Sequence, residues 1–126
     1  MDNKEKKILI IEDDKSLSKA ISDKLKRESF EVFTAFDGQE GLEVAFEKKP
    51  DLILLDLIMP VMDGIATLKK LRKDLWGSKV PVVILTNLST GEEVSQAMSQ
   101  GVYDYLVKTD WELNDIIKVI NNKLNK

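Results

Sequence analysis

Three carboxylates, a hydroxyl and an ammonium stand at the ends of short runs of mostly branched apolar residues. Glu12-Asp13 follow Ile8-Leu9-Ile10-Ile11, Asp56 follows Ile53-Leu54-Leu55, Thr86 follows Val82-Val83-Ile84-Leu85, and Lys108 follows Tyr105-Leu106-Val107. Each run is long enough for one buried strand of a parallel sheet. The carboxyl ends of such strands share one edge, and ligands bind outside that edge where the strand order reverses. The five groups would then converge on one small site with the composition of a divalent-cation and phosphoryl site. Carboxylate oxygens suit Mg2+ (or Mn2+), and like charges crowded at a partly desolvated edge cost stability unless a cation neutralises them. Asp56 is the candidate nucleophile, because a carboxylate that attacks phosphorus forms an acyl phosphate and does not require a histidine. Acidic residues after a strand can instead begin a helix, where they favour the positive end of its dipole. Asp14 is read in that way, as a helix cap.

These ends need elements to position them. Leu17, Ala20, Ile21 and Leu25 recur at helical spacing within Lys15 to Arg27, which predicts the first helix, with Ile21 and Leu25 turned to the core. Glu31 to Ala35 reads as the second strand, and a helix from Asp37-Gly38 must stop before Pro50. Asp51 to Leu55 is the most apolar strand and is expected at the centre of the sheet. Asp63 can cap a third helix carrying Ile65, Leu68 and Leu71, which Trp76-Gly77-Ser78 breaks. Pro81 opens the fourth strand, Gly101 suits the end of a fourth helix, and Asp110 can cap a last helix through Leu124. A strand followed by a helix, five times over, predicts an α/β fold: a doubly wound parallel sheet with right-handed crossovers.

The sequence of 126 residues suits one domain, read as 1–126 with no room for an attached output domain. An apolar share of 43% and a charged share of 33% are ordinary for a globular protein. No apolar run approaches the roughly 20 residues of a membrane span, and no secretory signal is visible, so a cytoplasmic protein with no membrane partner is expected. With neither Cys nor His, the chain excludes thiolate metal sites and a phosphohistidine of its own. A net charge of −3 predicts no direct DNA binding, which needs a basic face to displace counterions, and favours a protein partner.

The motifs Ile10-Ile11-Glu12-Asp13, Leu55-Asp56, Met59-Pro60-Val61-Met62-Asp63-Gly64, Leu85-Thr86 and Tyr105-Leu106-Val107-Lys108 resemble the receiver domain of two-component response regulators. They span nearly the whole chain. The resemblance implies a flavodoxin-like sheet of order 2-1-3-4-5 and a phosphoacceptor that signals without being an enzyme in the ordinary sense. It implies that Asp56 takes the phosphoryl group from a histidine kinase or phosphotransfer protein, with Thr86 and Lys108 on its oxygens. Asp13 and Asp56 would bind the metal directly, Glu12 largely through water, and the backbone carbonyl of Ile58 would complete the set. Thr86 and Tyr105 would form the switch. The first helix, through Leu17, Ala20 and Lys24, would receive the kinase, and the output would be phosphorelay or phosphorylation-dependent binding of a downstream protein the sequence does not name. The chain would be a monomer or a phosphorylation-dependent dimer.

Two residues depart from the family pattern. Thr109 stands where a proline commonly follows the lysine, so the Lys108-Thr109 peptide is expected to be trans, since a non-prolyl cis bond costs about 2.5–4 kcal/mol. Asn87 replaces the small residue after the threonine. Neither change removes a chemical group. Retention of all five groups also weighs against a degenerate receiver that binds partners independently of phosphorylation.

The resemblance places the residues two beyond Asp56 and two beyond Thr86 beside the path of the hydrolytic water. Here they are Ile58 and Leu88, which offer no hydrogen bond to hold a water in line. A long-lived phosphorylated state is expected. Its decay in Mg2+ should be accelerated by Ile58→Asn or Leu88→Glu; a wild-type lifetime of seconds, or no acceleration in either variant, rules the argument out.

Overall fold

The computed structural model describes residues 6–57, 62–86, 91–102, 104–107 and 112–124, without the side chains of 86, 91–94, 104, 105 and 107. Strands and helices alternate along the chain: β1 (Lys7–Ile11), α1 (Lys15–Arg27), β2 (Glu31–Ala35), α2 (Gly38–Lys48), β3 (Leu52–Asp56), α3 (Gly64–Lys73), β4 (Val82–Thr86), α4 (Gly91–Ser99), β5 (Asp104–Val107) and α5 (Leu113–Leu124). All strand pairs are parallel and the order is β2-β1-β3-β4-β5, as the resemblance implied. β3 is central, and all five of its residues are buried.

The period of two along each strand divides the interior into two layers. Ile8, Ile10, Leu52, Leu54, Val83 and Leu85 face α1 and α5, packing against Ile21, Leu25, Ile116, Ile117 and Ile120. Leu9, Ile11, Ile53, Leu55 and Ile84 face the opposite way, with Leu42, Ala45, Leu68, Leu71 and Ala97 of the other three helices. Strands with apolar side chains on both faces must be covered on both, which is why the runs show no polar alternation.

Local signals set the helix ends. Asp14, Asp37 and Asp63 are N-caps whose carboxylates accept the backbone N–H of Leu17, Glu40 and Ala66 at 3.1, 2.8 and 2.8 Å. Glu40 reaches back to accept the N–H of Phe36, the residue before the cap, at 2.9 Å, which fixes the entry of the chain into α2. At the end of α4, Gly101 takes a φ of 84°, and Val102 N–H donates to Ala97 O across the turn, a left-handed closure that suits glycine.

Both ends of β3 differ from the sequence reading, and α3 ends at Lys73, before the expected break at Trp76. β3 begins at Leu52, not Asp51, because the Asp51 carboxylate accepts the Lys7 N–H at 2.7 Å and its own N–H donates to Lys7 O. At its other end the strand runs one residue past the expected Leu55, because Asp56 is paired with Leu85 of β4. The cap assigned to Asp110 lies outside the described residues; within them, Asp115 accepts the Glu112 N–H at 2.8 Å at the start of α5. No helix among the described residues is long and apolar enough to cross a membrane.

Candidate functional site at the carboxyl edge of the sheet

β1 lies between β2 and β3, so the strand order reverses beside β1, and its register with β3 pairs Ile11 with Leu55. Glu12 and Asp13 therefore leave β1 level with Asp56. Carboxylate oxygens of Glu12, Asp13 and Asp56 lie within 4.8 Å of one another. Glu12 and Asp56 are 0% and 2% exposed, while Asp13 is open to solvent. Two unit charges at that separation repel by roughly 3 kcal/mol at an effective dielectric of about 20. An all-carboxylate donor set, partly buried and with one open side, fits a hard divalent cation that keeps part of its water shell.

Hydrogen bonds hold the first carboxylate in place. Glu12 N–H donates to Ala35 O at 3.0 Å, and its Oε2 accepts the Asp14 N–H at 2.9 Å. The Asp14 side chain is thus occupied as a cap, as the sequence suggested, while its backbone orients Glu12.

Sequence reasoning treated Gly64 only as part of a motif, yet it decides how the chain leaves Asp56. Its N–H donates to Leu57 O at 2.7 Å, and a Cβ there would collide with the Asp56 carbonyl and the Leu57 Cα. Only glycine lets the start of α3 sit this close to the strand end. The signal was the Asp63-Gly64 pair, whose closeness to β3 is a tertiary fact.

The remaining expectations divide between those the structure places and those it does not. Thr86 closes β4 opposite Val107 of β5, one residue beyond the pairing of Asp56 with Leu85. Tyr105 lies in β5 opposite Ile84. Ile58, Asn87, Leu88, Lys108 and Thr109 lie outside the described residues, and with them the expected metal carbonyl, phosphate ammonium, water barrier and peptide geometry. On α1, Ile21 and Leu25 are buried as expected. Ala20 is exposed, Lys24 is half-buried with its ammonium 3.7 Å from Glu28, and Leu17 packs partly against the core.

Comparison with known proteins assigns the class. Residues 8–121 match the response regulator receiver domain, and the chain belongs to that family. It is 38% identical over 102 residues to the DNA-binding dual master transcriptional regulator RpaA of Synechocystis, a match covering 81% of this chain and 42% of RpaA. It is 37% identical over 108 residues to the DNA-binding response regulator MtrA of Mycolicibacterium smegmatis, covering 86% of this chain and 46% of MtrA. Among solved structures, the receiver domain of the Francisella response regulator 1452 superposes with a TM-score of 0.85 at 33% identity, covering 96% of this chain and 99% of that one.

The chain spans about half the length of the curated relatives it matches. Those relatives correct the partner expectation drawn from charge, because RpaA and MtrA are named as DNA-binding. A basic face is needed only where a protein meets DNA, so the net charge of the segment they share excludes nothing about DNA.

Removing one carboxylate separates the cost of the cluster from its use. Asp13→Asn should raise the thermal stability of the metal-free protein by relieving repulsion, and should shrink the further stabilisation by Mg2+. For the wild type that increment is about 1.4 kcal/mol at a tenfold excess over Kd. Calorimetric melting of both proteins in EDTA and in Mg2+ is the check, and equal Mg2+ increments would exclude Asp13 as a ligand.

Proposed function

We propose that this chain is a phosphoacceptor whose Asp56 takes a phosphoryl group from the phosphohistidine of a histidine kinase, and that residues 1–126 act as one receiver unit. The observation that carries this reading is the buried Asp56 carboxylate at the end of the central strand, within 4.8 Å of Glu12 and Asp13. A carboxylate oxygen of Asp56 attacks phosphorus in line, the P–N bond to the donor imidazole breaks, and the imidazole leaves while an acyl phosphate forms. Glu12, Asp13, Asp56 and the carbonyl of Ile58 would hold Mg2+. Bound there, the cation neutralises charge on the phosphoryl oxygens. Lys108 supplies a second positive charge, and the Thr86 hydroxyl a hydrogen bond.

Thr86 and Tyr105 are the proposed switch, with movement of the hydroxyl toward the phosphoryl group making room for the ring and altering the surface around β5. The signal would pass on by phosphorylation-dependent binding or by phosphorelay. Because the relatives named above are DNA-binding regulators, a DNA-directed output is the reading carried for the protein as a whole. The kinase is assigned to α1 through Leu17, Ala20 and Lys24, of which Ala20 is exposed and Leu17 and Lys24 are half-buried.

Incubation with acetyl phosphate in Mg2+ should add one phosphoryl mass to the intact protein, and EDTA should prevent it. Asp56→Asn should add none; a variant that still gains that mass overturns the assignment. Ala20→Arg, at an exposed position, should slow transfer from a cognate kinase about tenfold and leave the reaction with acetyl phosphate unchanged. Undiminished transfer would move the docking surface elsewhere.

A further inference from the structure

The opposite edge of the sheet carries a feature that phosphoryl chemistry does not use. Pro50, Asp51, Trp76, Val80 and Pro81 line a cleft of about 410 Å3 at the amino ends of β3 and β4, with Leu75 and Lys79 on its rim. A strand of five residues separates this cleft from Asp56, roughly 15 Å. Leu75 is 82% exposed, the most open of the large hydrophobic side chains described. Phe46, 37% exposed, meets the Trp76 ring edge-on at 6.3 Å.

This leucine is not on a slack loop. Asp74 Oδ2 accepts the Gly77 N–H at 2.8 Å, Ser78 N–H donates to Asp74 O at 2.8 Å, and Lys79 N–H donates to Trp76 O at 3.1 Å. The Arg72 guanidinium donates to the carbonyls of Gly77, Val80 and Gln100 at 2.7 to 2.9 Å, tying the turn to the end of α4. The turn thus presents an apolar knob beside a cleft of mixed polar and apolar lining in a fixed shape, which lowers the ordering cost of binding.

Charge decides the occupant. Lys49 ends α2 in the left-handed region, with a φ of 47°, where glycine would be free of strain, and its ammonium lies 5.4 Å from the Trp76 ring centre. Lys79 is exposed on the other side. The one acidic lining residue, Asp51, has its carboxylate engaged by the Lys7 N–H. Two exposed lysines beside the cleft suit a partner that carries carboxylates.

We propose that this cleft is a docking site for an acidic peptide segment of a protein partner, which seats an apolar side chain against Leu75 and Trp76 and sets carboxylates on Lys49 and Lys79. The site is independent of the phosphoacceptor reading. The probe is a pair of short fluorescein-labelled peptides with the same Leu-Phe-Leu centre, one flanked by Asp and Glu and the other by Lys. Anisotropy should show binding of the acidic peptide alone, with amide shifts confined to residues 49–51 and 75–81. Leu75→Ser, which removes an exposed side chain, should bind it about tenfold more weakly with unchanged melting and unchanged phosphorylation by acetyl phosphate. Lys79→Glu should also weaken it. The proposal is overturned if the acidic peptide does not bind, if both peptides bind alike, if Leu75→Ser binds like the wild type, or if Leu75 instead mediates dimerisation of the free protein.

Discussion

Parallel pairing of β1 with β3 is the contact on which the site depends. It sets Ile11 against Leu55, so the acidic pair that ends one strand and the aspartate that ends the other emerge side by side at the point where strand order reverses. A slip of one residue would turn every side chain of β1 to the other face. Both faces are apolar, so alternation along β1 does not by itself guard the register. The two core layers do so together, because Leu9 and Ile11 must fit one set of helices while Ile8 and Ile10 fit the other.

The buried carboxylates work against this packing. Glu12 and Asp56 lie almost wholly out of water beside Asp13, an arrangement that the apolar layers beneath must hold against mutual repulsion. Backbone groups help: the Asp14 N–H steadies Glu12, and the close fit of Gly64 on the Asp56 carbonyl sets where the chain turns away. A divalent cation bound at this edge would offset the repulsion among the three carboxylates.

The two ends of the sheet differ in kind. The carboxyl edge gathers acidic groups on strand ends and helix caps, while the amino edge gathers an exposed leucine, a tryptophan and Lys79 on a braced turn, with Lys49 at the end of α2 beside it. The small net charge of the chain averages over this separation, and so says little about what either end meets. The same limit defeated the inference about DNA, which charge can inform only at the surface that makes the contact.

Much of the molecule was legible locally. The spans of α1 and β2, the caps at Asp14 and Asp63 and the closure at Gly101 follow from side-chain spacing and from hydrogen bonds within a few residues. The strand-end pattern and the Met-Pro-Val-Met-Asp-Gly motif identified the family and named Asp56. Strand order came from the resemblance, since periodicity cannot rank parallel strands. Only the tertiary structure decided that Asp51 leaves the strand to bind Lys7, that Gly64 presses against Asp56, that Leu17 is partly core, and that Leu75 stands in the open beside a cleft. Each depends on segments distant in sequence whose separation is set by packing, and a one-dimensional pattern carries no such distance.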